Sequence, residues 1–281
     1  MNARELAEEA SDIFVLSDSF LRIKELLDDD TATIDDIADV ILLDPALTAA
    51  ILKLSNSSFF NYPGKIDTIS KAMLVLGITE VYNLVIAYFT TKAFQKLKAD
   101  SDFLDTFWER SVDCALLVKY LGAYTNIQKV ERLFVLGLLH NLGELVVQQI
   151  TPDKISECQI SNTNEFPWEK QQQALSFTFG SCSAELLRFW RLPYCLVEPI
   201  GSQDEDDFDF LSDESKLLYV AKRVMINNNL YAGDDIHKFL TEDQLNTLNL
   251  TPEILVQARE YVDLERFSIL ALLKPGSVMI Y

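Results

Sequence analysis

Apolar residues recur at three- and four-residue spacing through almost the whole chain, and strict alternation is rare. That period fits an amphipathic helix and not a half-buried strand. Breakers are scarce: 9 Gly and 8 Pro in 281 residues leave little material for a many-turned β architecture. With 49% hydrophobic and 24% charged residues the chain can bury a sizeable core, so disordered and low-complexity readings are excluded. The spacing predicts an all-α protein.

Start and stop signals divide the pattern. The N-terminus, MNARELAEEASD, is acidic and helical in pattern, without the basic start and apolar run of a signal peptide. Ser17, Thr33 and Thr68 each precede an apolar-periodic run as N-caps, and Asp44–Pro45 pairs a cap with proline at the first helical position. Gly77 reads as a stop and Thr79 as a restart, with the following helix running to about Lys98, so five helices are expected in the first 98 residues. Phe59, Phe60 and Tyr62, beside the NYPG turn, are expected to pack two helices together. Further helices are predicted at about 102–124, 130–150, 168–177, 181–190 and 194–200. Asp204–Glu214 carries seven acidic residues and no basic one, which reads as a solvated linker or an acidic docking strip. A strong helix follows from about Ser212, and the last 50 residues read as short helices, one capped by Thr251 and Pro252.

The formal charge is −19 with a pI near 4.4. A field of that sign repels phosphate backbones and anionic lipid, so neither nucleic acid nor a membrane surface is expected as a partner, whereas basic protein patches are attracted. Apolar stretches such as Leu133–Leu139 are far shorter than the ~20 residues a membrane span needs. Cys114, Cys158, Cys182 and Cys195 form no CxxC pair, and are read as small buried side chains in a reducing cytoplasm. Of the two histidines, His140 lies near the middle of a strongly apolar helix and His237 on a polar segment near the surface. GxGxxG, Walker A, HExxH and GxSxG patterns are absent.

Three segments together resemble an HDOD domain, the non-catalytic relative of the HD metal-dependent phosphohydrolases. The first runs from Leu42 to Ala87, with Asp44–Leu47, Leu54–Ser57, Tyr62–Gly64 and Ser70–Gly77 in the family's order. The second comprises residues 107–122 and 133–147, and the third residues 182–200. The resemblance covers roughly residues 10–200 and implies an N-terminal helical subdomain (1–100), an HD-like helical bundle (101–203), and an acidic loop with a C-terminal helical extension (204–281). It also implies a role in bacterial signalling.

An HD site gathers a first His, a His-Asp pair and a later Asp around a divalent ion that activates water against a phosphoester. By the resemblance, the pair falls at His140–Asn141, the first His at Arg110, and further family His positions at Phe179 and Gln203–Asp204. An amide replaces the acid, and a cation stands where a ligand is needed, so the metal site is expected to be degenerate, with no metal and no cofactor. Arg110, His140, Asn141 and Glu144 are the candidate pocket residues. Glu144 with Asp113 is an alternative ligand set, and an Arg110–Glu144 ion pair filling the old cavity another outcome. The expected function is a regulatory module acting through protein contacts, with homo-oligomers admissible. A small-anion or nucleotide sensor and a metal-dependent phosphohydrolase are the alternatives.

Overall fold

The computed structural model describes residues 1–29, 31–57, 60, 62–97, 99–127, 130–158, 166–230 and 239–273. Fifteen α-helices and several 3-10 turns account for the regular structure, and no strand occurs among the described residues. The helices are α1 (Ala3–Ile13), α2 (Asp18–Leu27), α3 (Ile34–Leu42), α4 (Pro45–Ser55), α5 (Ile69–Leu76), α6 (Ile78–Ala93), α7 (Ser101–Gly122) and α8 (Leu133–Leu139). They continue as α9 (Leu142–Ile150), α10 (Pro167–Leu175), α11 (Phe179–Phe189), α12 (Tyr194–Ser202), α13 (Asp213–Leu230), α14 (Glu242–Thr247) and α15 (Pro252–Leu273). Contacts divide the chain into two compact units: Met1–Phe14 with Leu97–Leu264, and Val15–Lys96 with the residues from Glu265 onward.

The second unit is built from α2–α6. Its helices begin where their caps require. Ser17 accepts from the amide of Phe20, Thr33 from Asp36, Asp44 from Ala46 and Leu47, and Thr68 from Lys71. Gly77 adopts φ 96°, which only glycine enters cheaply, and it ends α5 and opens α6 at once. The expected restart at Thr79 therefore falls one residue early, and the two helices bend by 119°. The buried faces carry Phe20, Ile23, Ile41, Leu47, Ile51 and Phe89, with the Phe20 and Phe89 rings edge to face at 5.6 Å. Asn56 pins the following loop by donating to the carbonyl of Ile66 (2.7 Å) and accepting from its amide (2.8 Å). Tyr62 folds over its own turn, where a Cβ on Gly64 would come within 2.7 Å of the ring, and it remains 38% exposed. Phe59 lies outside the described residues.

The first unit holds α1 and the helices from α7 to the first half of α15. Its centre is the packing of α7 on α8, α11 on α9 and α12, and α1 on α11. Trp190 donates from its indole Nε1 to the carbonyl of Phe14 (2.9 Å), which fixes the end of α1. The predicted 130–150 helix is two helices, α8 and α9, broken at His140–Asn141. By length and composition Leu133–Ile150 could cross a membrane, but 78% of it is buried inside the protein as core.

The acidic stretch is neither loose nor wholly solvated. Phe208 and Leu211 are buried, Arg132 pairs with Glu214, and Ser212 and Ser215 hydrogen-bond Glu198. Apolar anchors between the aspartates hold it in place. The C-terminal helices are not all short: α15 runs 22 residues. Among the described residues six α-helices precede residue 98, α1, capped by Asn2, adding to the five expected. All four cysteines are free, but Cys195 is exposed. Burial pushes the thiols of Cys114 and Cys182 up to about 12.

Candidate functional site

The break between α8 and α9 makes the site. α8 is buried over its whole length, and α7 lies hard against it: a Cβ on Gly137 would sit 2.5 Å from Ala115 Cα. α9 is pressed equally hard on α11, where a Cβ on Gly143 would meet the Phe179 carbonyl at 2.2 Å. Between two such fixed helices, Asn141 leaves helical geometry at φ −125°, ψ 22°, and the turn points two polar side chains into the bundle.

His140 is buried, and its Nδ1 lies 2.7 Å from the Gly137 carbonyl. A carbonyl only accepts, so Nδ1 carries the proton and Nε2 keeps its lone pair. Desolvation pushes the imidazole down to about 3, with the Lys222 charge acting in the same direction. Asn141 Nδ2 donates to Glu144 Oε2 (2.6 Å), and Arg110 Nη2 on α7 donates to Glu144 Oε1 (2.7 Å). Glu144 is thus buried with both oxygens engaged, its side chain 8% exposed against 40% for Arg110. All four sequence-predicted residues line one cavity of about 690 Å³. Asp113 does not line it. The expected Arg110–Glu144 pair forms, but it leaves the cavity open.

Aromatic side chains supply much of the wall: Phe103 and Phe107 of α7, Trp168 of α10 and Phe179 of α11. Phe179 fills a position where the family resemblance places a histidine. At the other such position, Gln203 Nε2 donates to the carbonyls of His140 (2.8 Å) and Ile200 (2.7 Å). Asp204 next to it pairs with Lys222 of α13, which also lines the cavity. Lys222 was not singled out by the sequence. Its Nζ lies 4.7 Å from the Trp168 ring centre, and the neighbouring Arg223 is held against Trp168, Tyr219 and Phe166. Burial lowers the Lys222 ammonium from its ordinary range while Asp204 opposes that shift. His237 lies outside the described residues.

The HDOD domain family model matches residues 13–205, nearly the stretch on which the sequence resemblance rests. An uncharacterised protein of Treponema pallidum (strain Nichols) is 26% identical over 202 residues, 70% of this chain but 39% of that protein, so the chain spans about two fifths of that relative. Solved structures that share the fold include the following three. A candidate phosphohydrolase of Shewanella amazonensis SB2B superposes with a TM-score of 0.73 at 20% identity, covering 96% of this chain and 97% of that one. A candidate signal transduction protein of Marinobacter aquaeolei VT8 gives 0.71 at 21% identity, covering 96% of this chain and 65% of that one. An HDOD domain protein with unknown function from Geobacter sulfurreducens gives 0.69 at 18% identity, covering 96% and 97%.

Proposed function

The chain belongs to the HDOD domain family, and from that premise we propose that it is a regulatory signal-transduction module whose HD-type pocket is not a metal-dependent hydrolase site. The observation that carries this reading is the charge at the pocket. Two cations, Arg110 and Lys222, line the space into which a divalent ion would have to fit. Both oxygens of Glu144 are taken by Arg110 and Asn141. Of the residues lining the cavity His140 alone offers a nitrogen fit for a metal, and among the described residues no group of three or more His, Cys, Asp or Glu is placed to hold one. A divalent cation needs converging lone pairs and negative charge. These residues do not fit it, and water activation by a metal has no place in the reading.

The module is proposed to act through protein contacts, in the cytoplasm, on a partner with a basic surface. The anchored acidic segment supports that reading: Glu205, Asp206, Asp207 and Asp209 are exposed around Phe210, whose ring is 88% exposed. An exposed apolar side chain flanked in sequence by carboxylates suits a basic surface with an apolar socket. The cavity favours a second reading, a small-ligand sensor, because its 690 Å³ lies within the size range of small-molecule sites.

The test measures bound metal by plasma mass spectrometry and hydrolysis of bis(p-nitrophenyl) phosphate with added Mn²⁺, Fe²⁺ or Zn²⁺. The expected result is sub-stoichiometric metal and a rate equal to the buffer blank. Stoichiometric metal with turnover abolished by His140→Ala would overturn the proposal.

A further inference from the structure

Lys222 lies beyond the residues that the family model matches, on α13, yet its side chain lines the same cavity as His140 and is only 11% exposed. Its partner Asp204 is 5% exposed and belongs to the Gln203–Asp204 position where the family resemblance puts a metal ligand. We infer that the Lys222 ammonium takes, in this pocket, the electrostatic place that a divalent ion would hold against Asp204. The inference rests on the metal-free reading above and goes beyond it by naming the group that replaces the ion.

Three observations converge on Lys222. The Gln203 side chain ties the start of this segment to the His140 turn through the His140 carbonyl, and the neighbouring Asp204 carboxylate is turned inward, 5% exposed, against Lys222. The backbone of Gly180 on α11 closes the other side, where an added Cβ would meet Gln203 Nε2 at 2.5 Å and Asp204 Oδ2 at 2.8 Å, so the carboxylate has no room to swing away. Asp204 Oδ2 and Gln203 Oε1 are both buried without a hydrogen-bond partner in the structure. A buried carboxylate with one oxygen unsatisfied, beside a second unsatisfied acceptor on Gln203, demands positive charge, because an uncompensated buried anion is costly. Lys222 supplies it, steadied by the face of Trp168 at 4.7 Å. Arg110 does the equivalent for Glu144, which also lines the cavity. The C-terminal extension thus contributes a cation that a bound metal would otherwise provide.

The experiment compares the full-length protein with Lys222→Met and with Lys222→Met/Asp204→Asn, by calorimetry with and without millimolar Mn²⁺. Lys222→Met strands the carboxylate, and its Tm is expected to fall on the order of 10 °C. Mn²⁺ is expected to restore part of that loss, to leave the parent protein unmoved, and to have no effect on the double variant, whose Tm recovers because neither charge remains. Should Lys222→Met not fold unaided, its folding in Mn²⁺ is the same test. Loss that Mn²⁺ cannot recover, while the double variant folds, reduces Lys222 to an ordinary buried pair and overturns this inference alone. No loss in Lys222→Met does the same. A Mn²⁺-dependent rise in the parent protein overturns this inference and the metal-free reading together.

Discussion

At the scale of single residues, burial decides what His140 can be. A free imidazole titrates near 6.5, whereas desolvation inside the bundle, with Lys222 beside it, holds this one down to about 3. The unfolded chain therefore binds a proton that the folded chain refuses. The stability associated with neutral His140 is complete above pH 6.5 and drains away as pH falls from 6.5 toward 3. Urea unfolding should show the parent protein losing about 2 kcal/mol more than His140→Gln between roughly pH 7 and pH 5. Equal losses in the two proteins would mean that the folded imidazole titrates normally. Arg110, Asn141 and Glu144 were legible beside His140 because they sit at family positions along α7 and α9. Lys222 was not, since a lysine on a mixed helix reads as solvated. A signal was present: Lys222 stands four residues after Leu218 and three before Met225, on the stripe that holds the buried Leu218.

At the scale of helices, local chemistry was readable and tertiary compromise was not. The caps at Ser17, Thr33, Asp44 and Thr68 act within three residues of themselves, so four helix starts could be placed from sequence. The break at His140–Asn141 lies between two apolar runs, Leu133–Leu139 and Leu145–Val147, with no proline, and both flanking helices are closely packed against their neighbours. The same holds for the acidic stretch, where composition announced solvent and only packing shows Phe208 and Leu211 turned inward. Gly137 tests the cause of the break. Alanine there would ordinarily favour the helix by up to about 1 kcal/mol. With Ala115 Cα only 2.5 Å from the new methyl, it must instead push α7 and α8 apart. Gly137→Ala is expected to lower stability by about 1–3 kcal/mol in urea titration. A more stable variant would show that α7 and α8 do not depend on that close approach.

For the molecule as a whole, the family match and the folded unit end in different places. The match stops at residue 205, while the compact unit that holds the site continues to Leu264. The difference includes α13, which packs on α7 and α12 and buries Leu217, Leu218, Val220, Ala221 and Val224 almost completely. Each such side chain is worth about 1.5–3 kcal/mol on removal from water for the larger residues, a sum comparable with the whole stability of a domain. α13 also carries the cation that balances Asp204. A chain cut after residue 205 therefore exposes the apolar face of α7 and leaves a buried carboxylate unpaired at the same time. It is expected to keep helical far-UV dichroism while losing near-UV signal, cooperative melting and a dispersed amide spectrum, as collapsed chains without fixed packing do. A truncated chain that melts cooperatively within a few degrees of the parent would show that the HDOD helices are self-sufficient, and that α13 merely decorates them.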